Sequence, residues 1–156
     1  MKKAILAVAV VLSMAGGAWG QTHQHQFAVI DGRTNPELIS DDVAYEAVIG
    51  TMASASAEHQ RAYFRNFKLS VTQVETGIGI LRDFREAHEK LVQTYNEAAQ
   101  RSQTMDRGAF NTFQIENTAL LRNTQVKLES LIGTERFNLH IQGEKAHIQI
   151  NKGGGQ

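Results

Sequence analysis

The chain contains no cysteine. That absence excludes disulfides, thiol nucleophiles and every cysteine-bearing metal site. Stability must then come from packing, oligomerisation or a bound ligand. The 16 basic and 16 acidic residues cancel, and no basic stripe breaks the balance, which argues against nucleic acid and against an anionic membrane surface as partner. A Gly-x-Ser-x-Gly elbow and a His-Glu-x-x-His helix are both missing. Gly77-x-Gly79 lacks the third glycine and the preceding strand of a phosphate-cradling loop. The neighbouring carboxylates Asp41 and Asp42 read as charges in the first turn of a helix. The expectation is a protein that is not an enzyme.

What is present begins with an export signal. Lys2 and Lys3 precede an apolar run from Ala4 to Ala15 that only Ser13 interrupts, and Ala18-Trp19-Gly20 offers small residues around one bulky one. A cut before Gln21 is expected. The run is too short for a permanent membrane span of about 20 residues, and no later stretch approaches that length. With no cysteine beside the cut, a lipid-modified N-terminus is excluded. Losing Lys2 and Lys3 leaves 14 basic against 16 acidic residues, a formal charge of −2. The organisation expected is a signal peptide over 1–20, a flexible leader over 21–35, one helical domain over 36–150 and a flexible tail over 151–156. The location expected is periplasmic or extracellular, with no membrane anchor in the mature form.

Within the mature chain, the apolar stretch Phe27 to Ile30 ends at the turn signal Asp31-Gly32. Asn35-Pro36 marks a second turn, with a short helical turn through Ile39. Ser40 reads as the N-cap of a helix from about Asp41 to Met52. Ser54 or Ser56 caps a second, carrying Tyr63, Phe64 and Phe67, aromatics that read as core. Ser70 and Gln73 have capping-box spacing and start the longest element. Its stripe runs Val71, Val74, Ile78, Leu81, Phe84, His88, Leu91, Tyr95, Ala98, Ser102, Met105, in the three- and four-residue steps of a helix face. Gly77 and Gly79 interrupt it, marking a bend or a place where another backbone approaches closely. Asp106-Arg107-Gly108 closes that helix. A second run follows through Phe110, Phe113, Asn117, Leu120, Leu121, Thr124, Leu128 and Leu131, and so short a break makes the two helices antiparallel neighbours. Gly133 stops the second helix. Thr134 caps a last one with Phe137, Ile141 and Ile148 along a face. Residues 146–150 could instead extend, but helix is the simpler reading. The fold class expected is all-α: a long antiparallel helical hairpin with short flanking N-terminal helices and a C-terminal helix.

Leu69-Ser70-Val71-Thr72-Gln73 resembles the Leu-Thr-x-x-Gln motif that opens helices in the small periplasmic proteins of the Spy and CpxP type, with serine for threonine. Ile132-Gly133-Thr134-Glu135-Arg136 stands where that family's second motif falls, without its leucine and glutamine. The resemblance covers roughly Leu69 to Ile148 and implies a helical module that holds unfolded or membrane-derived clients. Asn35-Pro36-Glu37-Leu38-Ile39-Ser40-Asp41 and Glu144-Lys145-Ala146-His147-Ile148-Gln149-Ile150 resemble, more closely, segments of a group of exported bacterial helical proteins that lends no activity.

Three functional readings follow. In the first, a binding module holds protein clients, and Phe64, Phe67, Phe110 and Phe113 are its candidate surface. In the second, the chain self-associates, because the stripe from Val71 to Met105 is near a coiled-coil period. In the third it handles metal. A processed chain beginning Gln21-Thr22-His23 would offer an amine, two amide nitrogens and an imidazole to Cu(II) or Ni(II), with His25 assisting; a plain disordered leader is the alternative. His140, Glu144 and His147 share a helix face that suits Zn(II) if Glu116 or Glu129 adds a carboxylate, and is otherwise an ordinary solvated face. His88, between Phe84 and Leu91, reads as an interface histidine. Intact-mass measurement of the exported protein should find a chain starting at Gln21; a species retaining residues 1–20 would refute the signal.

Overall fold

The computed structural model describes residues 8–10, 28–101 and 107–152. Three short strands are β1 (Val8–Val10), β2 (Ala28–Asp31) and β3 (Ile148–Lys152). Five helices are α1 (Asp41–Ser54), α2 (Ala57–Arg65), α3 (Val71–Arg101), α4 (Arg107–Ile132) and α5 (Thr134–Glu144). The fold is all-α in its bulk, built on the long antiparallel pair α3–α4 with shorter helices on either side in sequence. The chain divides into two compact units, Met1–Ala47 with Ile141–Gln156, and Val48–His140.

The helix starts are set by local chemistry. Ser40 Oγ accepts from the Val43 amide at 3.4 Å, and Ser56 Oγ from the His59 amide at 3.3 Å. Ser70 and Gln73 form the reciprocal box: the Gln73 amide donates to Ser70 Oγ at 3.3 Å and the Ser70 amide to Gln73 Oε1 at 3.0 Å. Between α2 and α3, Lys68 takes a left-handed backbone with φ 55°. Between α4 and α5, Gly133 does so at φ 98°, where the missing Cβ matters. The Gly133 amide donates to Glu129 O at 2.8 Å, ending α4. Its own carbonyl accepts the Phe137 amide at 2.9 Å, opening α5. Gly133 thus holds the cap position expected of Thr134, which is already helical.

In the first unit the sheet order is β1-β3-β2. β2 and β3 are antiparallel, with Ile30 opposite Ile150; β1 and β3 are parallel, with Ala9 opposite Gln149. The C-terminal helix therefore ends at Glu144. After a 3-10 turn over Lys145–His147 the chain extends as strand, and the expected helical placement of Ile148 is corrected. The cause is non-local: β3 gains its backbone bonds from residues more than a hundred positions away, and tertiary pairing overrides local propensity. Residues 28–35, counted with the leader in the sequence, form β2 and the turn after it. The Gly32 amide donates to Ile148 O at 2.9 Å, and a Cβ on Gly32 would overlap the Lys145 carbonyl oxygen.

In the second unit Phe64, fully buried, lies across α3 at Gly77: a Cβ there would meet three carbons of its ring at 2.6 to 2.8 Å. The close approach expected of a backbone at the two glycines is corrected: an aromatic side chain fills the space at Gly77, and Gly79 has nothing within 4 Å. Val74, Leu81 and Phe84 of α3 are buried, as are Thr124, Leu128 and Ile132 of α4 and Phe137 of α5. Val71, placed on the stripe, is instead 79% exposed. As the first residue of α3 it lies beyond the reach of the seam. The segment expected to close α3, Ser102 to Asp106, lies outside the described residues, and Arg107 and Gly108 belong to the first turn of α4.

Gly77→Ala should destabilise the protein by about 1–3 kcal/mol through overpacking, whereas Gly79→Ala should stabilise it by about 1 kcal/mol through helix propensity. Paired chemical-denaturation curves check both signs.

Candidate binding surface

The α3–α4 pair has two different halves. Near its base, Val74, Leu81, Phe84, Thr124, Leu128 and Ile132 are buried. Beyond Phe84 on α3, and before Thr124 on α4, no described residue is buried. Two helices share a single seam. With no third element over it among the described residues, aromatic side chains along that seam keep an open flank.

The seam residues there still touch one another. The His88 ring stacks on Phe84 with centroids 5.7 Å apart and meets Phe113 at 6.4 Å. Tyr95 contacts Phe113 at 5.4 Å and Phe110 at 6.1 Å. His88, Leu91, Tyr95, Phe110, Phe113 and Leu120 are all half-buried. Asn117, on the same face of α4, has an enclosed Oδ1 with no hydrogen-bond partner among the described residues. An open depression of about 530 Å³ runs along α3 past His88, Val92, Asn96 and Gln100. On the outer side of α4, Ile115 and Val126 are 71% and 58% exposed.

The four phenylalanines singled out in the sequence part company. Phe110 and Phe113 lie on the open seam. Phe64 and Phe67 are core residues and present no surface: Phe64 is covered by α3, and Phe67 packs edge-on against Tyr63 and His140 at 5.3 and 5.2 Å. The Phe67 carbonyl accepts from Arg136 Nη1 at 2.8 Å.

Of the metal candidates, Gln21, His23 and His25 lie outside the described residues. The His140 ring is set against Tyr63 and Phe67, Glu144 ends α5 and His147 sits exposed in the 3-10 turn. Glu116 is exposed on α4, and Glu129 is half-buried, accepting from Gln125 at 2.8 Å. No group of three or more His, Asp or Glu side chains that could hold a metal occurs among the described residues.

Two polar clusters of the first unit went unread in the sequence. Asp31 accepts from the Arg33 side chain at 2.7 to 3.1 Å and from the Arg33 amide at 3.0 Å; these bonds hold its carboxyl down to about 2. Asp41 accepts from Lys145 and Gln142, which lower its carboxyl too, Lys145 more strongly. The Asp31-x-Arg33 spacing was a readable signal for the first. The second joins residues 104 positions apart and left none.

No protein-family model, curated protein or solved structure matches the chain. No helix among the described residues is long and apolar enough to cross a membrane.

A carboxyl whose folded value lies below its ordinary 3.8 stabilises the fold above that value and loses the contribution as pH falls towards the folded one. Arg33→Ala should therefore be less stable than the parent at neutral pH. The gap should close as pH drops from about 4 to 2, as read by urea denaturation at each pH.

Proposed function

We propose that this is an exported helical protein of the bacterial envelope, periplasmic or extracellular, that binds apolar segments of unfolded or membrane-derived clients along the open half of α3–α4. The observation that carries the reading is the row of aromatic side chains at His88, Tyr95, Phe110 and Phe113, in mutual contact yet covered on one flank only. Aromatic rings bring large apolar area at small entropic cost, and a contiguous, partly exposed row is what an apolar segment can cover. On the α4 side few charges flank it, since between Gly108 and Leu121 the one ionisable side chain is Glu116, whereas on α3 Glu89 and Glu97 line the depression beside His88. Asn111, Thr112, Gln114 and Thr118 are exposed on α4 too and suit sequence-tolerant contacts with a client backbone. The N-terminal signal pattern and the Leu69 to Gln73 motif support the same assignment.

Self-assembly is the second reading, favoured by Ile115 and Val126 exposed on the opposite side of α4. The two are separated by measuring light scattering of the protein alone, then its ability to suppress aggregation of a denatured model protein. Phe113→Ser and Tyr95→Ser should each weaken suppression roughly tenfold, with helicity retained by circular dichroism. Full suppression by both folded variants would refute the client surface, and a concentration-dependent oligomer abolished by Ile115→Lys would favour assembly.

A further inference from the structure

The sheet of the first unit carries an acceptor edge that processing would uncover. In an antiparallel pair, backbone groups alternate between facing the partner strand and facing away. The Gly32 amide bonds to Ile148 O, and Ile30 and Ala28 lie opposite Ile150 and Lys152. Residues 148, 150 and 152 therefore direct their N–H and C=O groups to β2. Gln149 and Asn151 direct theirs to the opposite edge, where β1 lies, with Val8 opposite Ile148 and Val10 opposite Ile150. β1 belongs to the segment read above as a cleaved signal. Its removal leaves the Gln149 amide and carbonyl with no strand opposite them among the described residues.

That edge lacks the usual protections. Exposed edges are guarded by charge, proline or a bulge, and β3 offers none of these over Ile148-Gln149-Ile150-Asn151, its one charged residue being the terminal Lys152. It is also preorganised. Ile148 is buried, its carbonyl is held by Gly32, and the turn before it is tied down by the Lys145–Asp41 ion pair. The strand need not be ordered at the moment of binding, which lowers the entropic cost of adding another.

The geometry points to this edge as a docking site for an extended, uncharged apolar segment of a client polypeptide, added as a strand parallel to β3. The proposal rests on the export reading and gives the client a conformation. The occupant is indicated by what the chain itself places there, Val8-Ala9-Val10, in the middle of an uncharged apolar run. In parallel pairing Val8 and Val10 direct their backbone groups to β3 while those of Ala9 point away. The Gln149 amide bonds to the carbonyl at the Val8 position, and the amide at the Val10 position bonds to the Gln149 carbonyl.

The test uses protein exported with its own N-terminus. Intact mass first establishes whether residues 1–20 are gone, which tests the export reading separately. The processed protein is then titrated against a fluorescent peptide carrying residues 4–12 between solubilising lysines, with anisotropy as readout. Saturable binding is expected. N-methylation at the Val10 position should weaken it roughly tenfold or more, and N-methylation at the Ala9 position should leave it unchanged. Gln149→Pro removes the edge amide while leaving the bonds to β2, and should weaken binding likewise; if that variant does not fold, the two methylated peptides decide alone. Equal effects of the two methylations, undiminished binding to folded Gln149→Pro, or a dimer that the peptide does not compete away would each overturn the proposal.

Discussion

The seam between α3 and α4 is the constraint on which the rest of the second unit depends. Each helix presents one apolar face, and a pair of helices can bury those faces against each other only along a line. Where Phe64 lies over Gly77, and where Phe137 adds its own buried ring, side chains reach full burial. Past Phe84 and Thr124 no other described element covers the two helices, and the same periodic pattern yields half-covered rings. The core and the proposed binding surface are thus one stripe of residues, separated by whether anything covers it.

The first unit works by different means. Its strands are short and its stability leans on backbone pairing, on Gly32 fitting beneath the Lys145 carbonyl, and on Asp41 receiving both Lys145 and Gln142. Lys145 is largely buried and its amine meets a carboxylate that is mostly exposed. A buried amine needs such a partner, since an unpaired charge away from water is costly. The arrangement ties the start of α1 to the entry of β3 and fixes the edge that β3 presents.

Legibility in the sequence followed range. Ser40, Ser56, Ser70 and Gln73 were readable as caps because a cap acts within three or four residues of itself. The stripe from Val74 to Ala98 was readable because helical periodicity is a property of one segment. Phe64 and Phe67 read in the sequence both as core and as candidate surface, and the core reading holds because Gly77, Arg136 and His140 arrive from other elements to cover them. Phe110 and Phe113 have the same local appearance and the opposite fate.

The sequence by itself determined where the helices of this protein begin, that the two longest are sided and antiparallel, and that no cysteine chemistry is available to it. Tertiary structure alone decided that residues 148–152 are strand, that Asp41 pairs with Lys145, and which part of the long seam stays open. The physical reason is one of distance along the chain. Caps and periodicity are energies between neighbours and are written locally. Strand pairing, burial and ion pairing across a hundred residues are energies of encounter, settled by which surfaces meet.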